Sequence, residues 1–298
     1  MLSTGNKSVH VKRFIRKLHG GSDPVLVLAS DGLHYVVKFG NNLQGPNVLF
    51  NESAGTELYQ ACGLSTPAWK PLLVSNSFLD QNPGAWMETN DGLRRPDAGL
   101  CYGSIFMAAG PGRTFEILHG SALTRILNRS TFWLAWLLDA CADHVDNRQA
   151  IFKEDASGSL HAFFIDHGHL FGGPAGKLRL PIIASRYLDP RIYPDTTSHE
   201  IAGFHKMLSC IDTDALWRRA NALPEEWKTP SALEVMARAL QSISDSFRVQ
   251  SLLDRMQTDI ERSTNRAIAP ARVAPVPIPA PLYPDLQRNA LGNLAIAC

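Results

Sequence analysis

The sequence predicts an α+β fold in which a β-rich first part is followed by a mostly helical second part and a disordered tail. One observation is a hairpin signal, in which an apolar run at 25–29 and another at 33–39 flank Ser30-Asp31-Gly32. An Asp-Gly turn between two apolar runs is typical of a β-hairpin. A second observation is the helical pattern beyond residue 195. Its predicted helices lie near 198–210, 213–222, 230–247 and 248–262.

A second hairpin signal carries the chemistry of the chain. Asp146 precedes an apolar run at 149–152, polar turn formers fill 154–159, and a second run at 161–165 leads into Asp166. A hairpin brings its two outer ends together, so we expect the two carboxylates to meet. Converging carboxylates attract a divalent cation, and a cation beside a second acid is the machinery of phosphoryl transfer.

The remaining elements follow from apolar periodicity and from turn residues. The pattern predicts a strand at 9–11 with a short helix after it, and a helix at 47–62 that ends before Gly63 and Pro67. A strand at 103–107 leads into Gly110-Pro111-Gly112, a natural point of flexure between two lobes. Aromatic residues around much of the circumference of 131–139 predict a deeply buried helix.

These elements predict three regions along the chain. Residues 1–107 form a β-rich N-lobe, a nucleotide-cradling sheet with one helix, and residues 108–267 form a C-lobe with the acidic hairpin and the helices. Residues 268–298 contain six prolines, which exclude a helix or an inner strand. We therefore expect an extended, disordered tail.

Composition excludes several classes of protein. The chain has 298 residues, is 45% hydrophobic and carries a net charge of +1, so it shows no electrostatic footprint for nucleic acid or an anionic membrane. Five widely spaced cysteines without a C-x-x-C motif argue against a disulfide framework or a zinc site. The basic first twenty residues lack the apolar core of a signal peptide. The sequence therefore predicts a cytoplasmic protein without a membrane span.

Three features of the first part suit the binding of nucleotide phosphates. Gly20, Gly21 and Ser22 precede the first strand of the hairpin, where unhindered backbone N–H groups can approach phosphate oxygens. Lys38 lies in a β-branched strand, where its ammonium requires water or an anion. Glu52 lies on the next predicted helix. We expect Glu52 to pair with Lys38 and to hold it toward a phosphate.

These residues belong to an ordered set of motifs that resembles the HipA-like kinase family, distant relatives of protein kinases and phosphatidylinositol kinases. The resemblance spans residues 18–265, and its motifs are collinear. The matching segments are 20–22, 35–45, 48–52, 63–67, 102–104, 146–152 and 164–171. The resemblance implies a two-lobed, protein-kinase-like fold. It also implies ATP- and Mg²⁺-dependent transfer of phosphate to a hydroxyl, on Ser or Thr of a protein substrate.

The resemblance also implies a role for each matching residue. Lys38 is expected to contact the nucleotide phosphates, with Glu52 as its ion-pair partner. Asp146 is expected to be the catalytic acid that accepts or orients the substrate hydroxyl. Asp166 is expected to hold Mg²⁺, because its Asp-His-Gly resembles the Asp-Phe-Gly of protein kinases.

The catalytic segment departs from the kinase pattern. Typical kinases place a metal-binding Asn five positions after the catalytic Asp, and that count from Asp146 reaches Ile151. Counted from Asp143, Asn147 falls one position short, so Asp143 is a rival for the catalytic role. Gln149 stands where many kinases place the metal-binding asparagine, and Asn147 is the alternative.

Two other functions stay open at this point. The irregular catalytic segment is compatible with a nucleotide-binding pseudokinase that acts as an interaction module. A metal-dependent hydrolase is the third hypothesis, and it leaves Lys38 and Glu52 without a role. Its ligands would come from Asp143, His144, Asp146, Asp166, His167 and His169. The expected partners are a protein substrate and a regulatory partner, with no nucleic acid and no membrane.

Overall fold

The computed structural model describes residues 8–118, 120–176 and 185–268. The first part contains seven strands and two helices in its described residues. The strands are β1 (Val11–Lys17), β2 (Val25–Ala29), β3 (His34–Lys38), β4 (Trp69–Val74), β5 (Met87–Thr89), β6 (Gly92–Arg94) and β7 (Gly99–Ile105). The helices are α1 (Val48–Ala61) and α2 (Asn76–Gln81).

Five of these strands form one antiparallel sheet in the order β1-β2-β3-β7-β4, and β5 pairs with β6 as a separate hairpin. The predicted hairpin at 25–39 is confirmed, with Val25 opposite Val37 and Gly32 at a positive φ of 80° in the turn. Tyr35, Val37 and their neighbours fill a small apolar core on one face of the sheet. Lys38 lies on the other face, as the alternation predicts.

Strand β1 corrects the sequence prediction for the N-terminal region. The short helix expected after residue 11 is wrong, because the chain continues as a strand to Lys17 and pairs with β2 along its length. Its register shifts twice, between Val11 and Arg13 and between Phe14 and Arg16. Each shift breaks the period-two alternation of side chains, which is the pattern that identifies a strand in a sequence.

Helix α1 agrees with the predicted helix to within one residue at each end. Buried residues occupy nearly its whole circumference, since the sheet packs on one side of it and the second part of the molecule on the other. Its apolar side chains, such as Leu49 and Leu58, belong to the large core of the second part rather than to the small core of the sheet. Helix α1 is thus shared by both parts.

The second part is mostly helical. Its strands are β8 (Thr114–Phe115), β9 (Gln149–Glu154) and β10 (Leu160–Ile165). Its helices are α3 (Thr131–Cys141), α4 (Ser198–Ser209), α5 (Thr213–Asn221), α6 (Pro230–Ser244) and α7 (Ser246–Ile268). The predicted acidic hairpin is confirmed, because β9 and β10 pair antiparallel with Gln149 opposite Ile165.

The helices of the second part follow the prediction, except that α6 ends three residues early and α7 runs from Ser246 to Ile268 rather than from 248 to 262. Helix α6 begins at Pro230 after Thr229, whose hydroxyl accepts a hydrogen bond from the backbone N–H of Ala232. It ends at Ser244, three residues earlier than predicted, because Asp245 accepts hydrogen bonds from the N–H groups of Phe247 and Arg248 and starts a new helix. The buried helix predicted at 131–139 is confirmed as α3.

Other sequence predictions concern the C-terminal tail, membrane-spanning helices, the cysteines and the cellular compartment. The predicted Pro-rich tail at 268–298 lies outside the described residues apart from the last residue of α7. Over the described ranges, no helix combines the length and the apolar character that a membrane crossing requires. The four described cysteines are free thiols. The cytoplasmic compartment stays a prediction.

Candidate functional site

Lys38 lies between two carboxylates that come from distant parts of the chain. Its Nζ donates to Oε1 of Glu52 on α1, and it lies 2.7 Å from Oδ1 of Asp166, which follows β10. Lys38 and Glu52 are buried, with 8% and 2% of their surfaces exposed. The structure thus joins the predicted lysine, its predicted ion-pair partner and the second acidic cluster in one site.

The three charges shift one another's protonation. Burial by itself lowers the pKa of Lys38, but the charges of Asp166 and Glu52 outweigh it and hold this pKa well above its ordinary value. Burial raises the pKa of Asp166, yet the Lys38 ammonium outweighs burial and holds it well below the usual range. Both groups are therefore ionised at neutral pH. Burial raises the pKa of Glu52, which the Lys38 ammonium and the Gly168 N–H oppose.

The backbone around Asp166 is held in an unusual conformation. Asp166 has φ 61° and ψ 59°, the left-handed region that non-glycine residues rarely adopt. The carboxylate of Glu52 accepts hydrogen bonds from the N–H of His167 at 3.2 Å and the N–H of Gly168 at 2.9 Å. The side chain of Asn51 donates to the carbonyl oxygen of Gly168 at 2.9 Å. Helix α1 therefore fixes both the lysine and the loop that carries Asp166.

The structure separates the two predicted metal-binding side chains. Nε2 of Gln149, at the start of β9, lies 2.9 Å from Oδ2 of Asp166. Asn147 is exposed, and its backbone N–H donates to Oδ1 of Asp146 at 2.7 Å. Gln149 is therefore the amide that the fold brings beside Asp166.

The two candidate catalytic acids face different surroundings. Oδ2 of Asp146 lies 3.9 Å from Nε2 of His169, and 44% of the Asp146 side chain is exposed. Asp143 is half-buried, and burial raises its pKa while the charges of Arg248 and Arg238 oppose this rise. Those arginines lie on α7 and α6, so Asp143 faces the helices. Asp146 is the acid beside His169.

The Gly-Gly-Ser segment forms part of the loop between β1 and β2. A Cβ atom at Gly21 would lie 2.7 Å from Nε2 of Gln44, so only glycine fits without a shift of that side chain. Nε2 of Gln44 in turn lies 3.2 Å from Nε2 of His169. Gln44, which the sequence did not single out, therefore links the Gly-rich loop to the segment after Asp166.

Half-buried apolar side chains lie on the two strands that carry Lys38 and Gln149. On β9, Gln149 reaches Asp166 while Lys153 donates to the carbonyl oxygen of Met107 at 3.1 Å. Ile151 lies between them on the same face of the strand and is half-buried. Val36, also half-buried, shares the face of β3 that carries Lys38. The strand of Lys38 and the strand of Gln149 thus each carry a half-buried apolar side chain.

A buried ion pair beneath this site was not predicted from the sequence. The guanidinium of Arg148 makes a bidentate pair with Asp139 of α3, at 2.8 Å and 2.7 Å. A signal for it exists in the sequence, since Asp139 is the one charged residue of the apolar helix α3. A buried carboxylate requires a donor, so this position predicts a partner without identifying it.

The six residues of the hydrolase hypothesis do not converge. Among the residues that the structure describes, no three His, Cys, Asp or Glu side chains form a group that could hold a metal ion. The rings of His144 and His167 are buried, and His167 packs against Tyr59 with ring centroids 4.4 Å apart. The metallohydrolase cluster is therefore wrong.

The similarity of this chain to known proteins is one of structure and not of sequence. No family model and no curated protein matches the sequence. The chain is similar in structure to hydra Fam20 with sugar, with 10% identity and a TM-score of 0.51 over 85% of this chain and 88% of that one. It is also similar to the Helicobacter pylori proinflammatory kinase CtkA, with 10% identity and a TM-score of 0.51. That match covers 81% of this chain and 95% of the CtkA chain. The match to the Golgi casein kinase with Mn/ADP bound has a TM-score of 0.45 and 12% identity. It covers 82% of this chain and 73% of the casein kinase chain.

At 10% identity, the similarity to Fam20 and CtkA is one of fold. It covers most of this chain and most of both other chains. The described architecture agrees with it, since a five-stranded sheet with helix α1 precedes a mostly helical part. The chain therefore has a kinase-like fold.

Proposed function

We propose that this protein is an ATP- and Mg²⁺-dependent phosphotransferase of the HipA-like type, which transfers the γ-phosphate to a Ser or Thr hydroxyl of a protein. The observation that carries the proposal is Lys38, buried between Glu52 of α1 and Asp166, which follows β10. The kinase-like fold supports the reaction class, and the ordered motifs support the HipA-like type.

Residues near Lys38 suit each part of the nucleotide. The half-buried side chains of Val36 and Ile151 would offer apolar surface to the flat face of a nucleobase. The Gly-rich loop would offer backbone N–H groups to phosphate oxygens, with the Gln44 side chain displaced from Gly21. Lys38 then supplies a positive charge where the phosphates lie, and Glu52 keeps its ammonium directed there.

The residues around Asp166 fit a magnesium ion. Mg²⁺ prefers oxygen ligands and commonly takes one or two carboxylates together with substrate phosphates. The Asp166 carboxylate provides such oxygens, and the Gln149 amide beside it provides another when its oxygen faces the metal. Bound there with ATP, Mg²⁺ would neutralise charge on the phosphates. Two protein side chains and a triphosphate suffice for this role, so a cluster of three acids or histidines is not needed.

Asp146 is the residue that we assign to the acceptor hydroxyl. The hydroxyl oxygen forms a bond to the γ-phosphorus as the bond from that phosphorus to the bridging β-γ oxygen breaks, and the hydroxyl proton passes to the Asp146 carboxylate. ADP is the leaving group. The partly exposed side chain of Asp146 suits a residue that meets a second substrate from solvent. His169 lies beside it and limits its orientation.

A pseudokinase is the second candidate, and a specific observation favours it. Gln149 rather than an asparagine lies beside Asp166, and Asn147 is exposed in a segment whose spacing departs from that of kinases. A protein of this kind would bind Mg-ATP without turning it over. At a hundredfold excess over its Kd, Mg-ATP stabilises either protein by about 2.7 kcal/mol, so stabilisation alone does not separate the two.

Transfer of labelled phosphate separates them. We expect wild-type protein, incubated with a cell lysate and γ-labelled ATP, to release ADP and to label protein, and Asp166→Ala to do neither. Asp146→Ala should retain stabilisation by Mg-ATP and lose labelling. Equal labelling by wild type and Asp166→Ala would contradict the mechanism, and binding without ADP release by wild type would establish the pseudokinase.

Asp143→Ala is the matched comparison for the catalytic acid. Because Asp143 faces Arg238 and Arg248 rather than Asp166, we expect this variant to keep measurable transfer while Asp146→Ala loses it. The measurement is the rate of ADP release by each folded variant at saturating Mg-ATP. Loss of transfer in Asp143→Ala alone would reverse the assignment.

A further inference from the structure

Arg148 is a fully buried cation directly beneath the candidate site. Its side chain is 1% exposed and its partner Asp139 is 0% exposed. Beyond the bidentate pair with Asp139, Nη1 of Arg148 donates to the backbone carbonyl oxygen of Ile165 at 2.8 Å. The guanidinium carbon lies 5.0 Å from the centre of the Tyr59 ring. Every edge of the planar group therefore meets a partner.

Stability alone does not explain this pair. Removing two charges from water is costly, and well-packed apolar residues often stabilise a core as well as a buried ion pair does. The planar fork of an arginine does, however, fix the direction of each N–H group that it presents. In this structure one of those directions is set on the carbonyl oxygen of Ile165.

That carbonyl belongs to the peptide bond that leads into Asp166. Asp166 has left-handed backbone angles, which persist only when surrounding contacts hold them. Nη1 of Arg148 fixes the peptide on the N-terminal side of Asp166, while Glu52 fixes the N–H groups of His167 and Gly168 on the C-terminal side. The residue is held from both directions.

The carboxylate of Asp139 also connects to helix α1. The hydroxyl of Tyr59 donates to Oδ1 of Asp139 at 2.6 Å, and Tyr59 lies two turns after Glu52 on α1. Asp139 is thus a common acceptor for Arg148, which orients the loop of Asp166, and for the helix that orients Lys38. The network links helix α1 to the loop of Asp166 through the interior.

We propose that Arg148 is a positioning residue for Asp166, and that Asp139 holds Arg148 in place for this task. Arg148 acts by fixing the Ile165–Asp166 peptide, which sets the Asp166 carboxylate between Nζ of Lys38 and Nε2 of Gln149. The consequence for metal binding rests on the proposed function. The consequence for the backbone does not, because it concerns the nucleotide-free protein.

The test uses Arg148→Lys, which keeps the positive charge and removes the fork, and Tyr59→Phe, a milder variant that removes one hydroxyl. In nucleotide-free protein we expect amide hydrogen exchange at residues 165–170 to accelerate at least tenfold in Arg148→Lys and less in Tyr59→Phe. In the ADP-release assay, the Mg²⁺ concentration for half-maximal activity should rise about tenfold in Arg148→Lys. Nucleotide affinity without Mg²⁺ should change less than threefold.

A destabilised control separates positioning from general loss of structure. Leu253→Ala empties part of the large core on α7, an element that contributes no residue to the Arg148–Asp139–Tyr59 network. It should lower the melting temperature while leaving exchange at 165–170 and the Mg²⁺ requirement at wild-type values. If Arg148→Lys resembles this control in both measurements, the positioning role is overturned.

Failure of the proposed function gives a different result. Wild-type protein that neither binds Mg-ATP nor releases ADP would overturn that function, and the metal-positioning role with it. If wild type is active but Arg148→Lys exchanges amide hydrogens at 165–170 as slowly as wild type does, the positioning role alone is overturned.

Discussion

At the scale of single residues, Lys38 determines whether the site holds together. Its ammonium is the shared counter-charge of Glu52 and Asp166, both of which lie on other elements of the fold. Without it, two carboxylates would face each other at a buried position. The lysine thus has a structural role in the nucleotide-free protein and a phosphate-binding role in the proposed reaction.

Lys38→Met should destabilise the protein by about 3 kcal/mol, the usual result of removing one partner of a buried ion pair. Burial raises the pKa of Glu52, and without the ammonium nothing of equal strength opposes that rise. A raised pKa in the folded state confers stability at low pH that is lost as the pH rises, so the destabilisation should be larger at pH 8 than at pH 5. Urea unfolding at both pH values measures it.

Lys70→Met is the control for this variant, since Lys70 makes an ion pair with Asp31 at the surface. We expect a change below about 1 kcal/mol there, with little dependence on pH. Equal losses in the two variants would show that Lys38 is an ordinary ion-pair partner.

His144 predicts a second dependence on pH. Burial lowers its pKa to about 4, below the value near 6.5 of an unfolded chain. Between about pH 6.5 and pH 4, His144 is protonated in the unfolded chain but not in the folded protein. The free energy of unfolding therefore falls as the pH falls. The contribution of His144 should amount to about 2 kcal/mol between pH 7 and pH 5.

His144→Gln removes this titration, and its unfolding free energy should depend less steeply on pH in that window. His10→Gln, at an exposed position, should keep the wild-type slope. A wild-type slope in His144→Gln would show that the buried imidazole does not control the acid side of the stability curve.

At the scale of elements, helix α1 and the loop after Asp166 form one unit. Gly55 on α1 permits their close approach, since a Cβ atom there would lie 2.5 Å from Cδ1 of Leu170 and 2.7 Å from Cβ of His167. The contacts of Asn51 and Glu52 lie one turn earlier on the same side of the helix. Little space remains for α1 to move away from the loop without breaking these contacts.

Gly55→Ala should therefore destabilise the protein by about 1–3 kcal/mol through overpacking, although alanine is the better helix former. Gly203 on α4 is the matched control, because a Cβ atom added there would have no heavy atom within 4 Å. Gly203→Ala should stabilise by up to about 1 kcal/mol. Thermal unfolding compares the two, and stabilisation by both would mean that α1 is free to shift.

The elements could be predicted from the sequence where local signals agree. The Asp-Gly turn between apolar runs identified β2 and β3, and Thr229-Pro230 identified the start of α6. The full length of β1 could not be predicted beyond the strand expected at 9–11, because its two register shifts remove the alternation that marks a strand. Local signals decide such elements, and a bulge is visible only against the partner strand.

At the scale of the whole molecule, the site depends on contacts between residues that are far apart in the chain. The pairing of Lys38 with Glu52 joins neighbouring elements, and local spacing suffices to suggest it. The contact of Lys38 with Asp166 spans 128 residues and could be predicted only through the resemblance to a kinase family. The Asp139–Arg148 pair and the link through Gln44 depend on packing that no local pattern specifies.

Calorimetric titration with a non-hydrolysable ATP analogue tests the central claim most directly, because it asks whether the pair of Lys38 and Asp166 marks a magnesium–nucleotide site. Wild type and Asp143→Asn should each bind one analogue, at least tenfold more tightly with Mg²⁺ in the buffer than without it. Asp166→Asn should bind at least tenfold more weakly in Mg²⁺, which corresponds to about 1.4 kcal/mol or more. Absence of binding by wild type, or equal affinity in Asp166→Asn, would contradict the account.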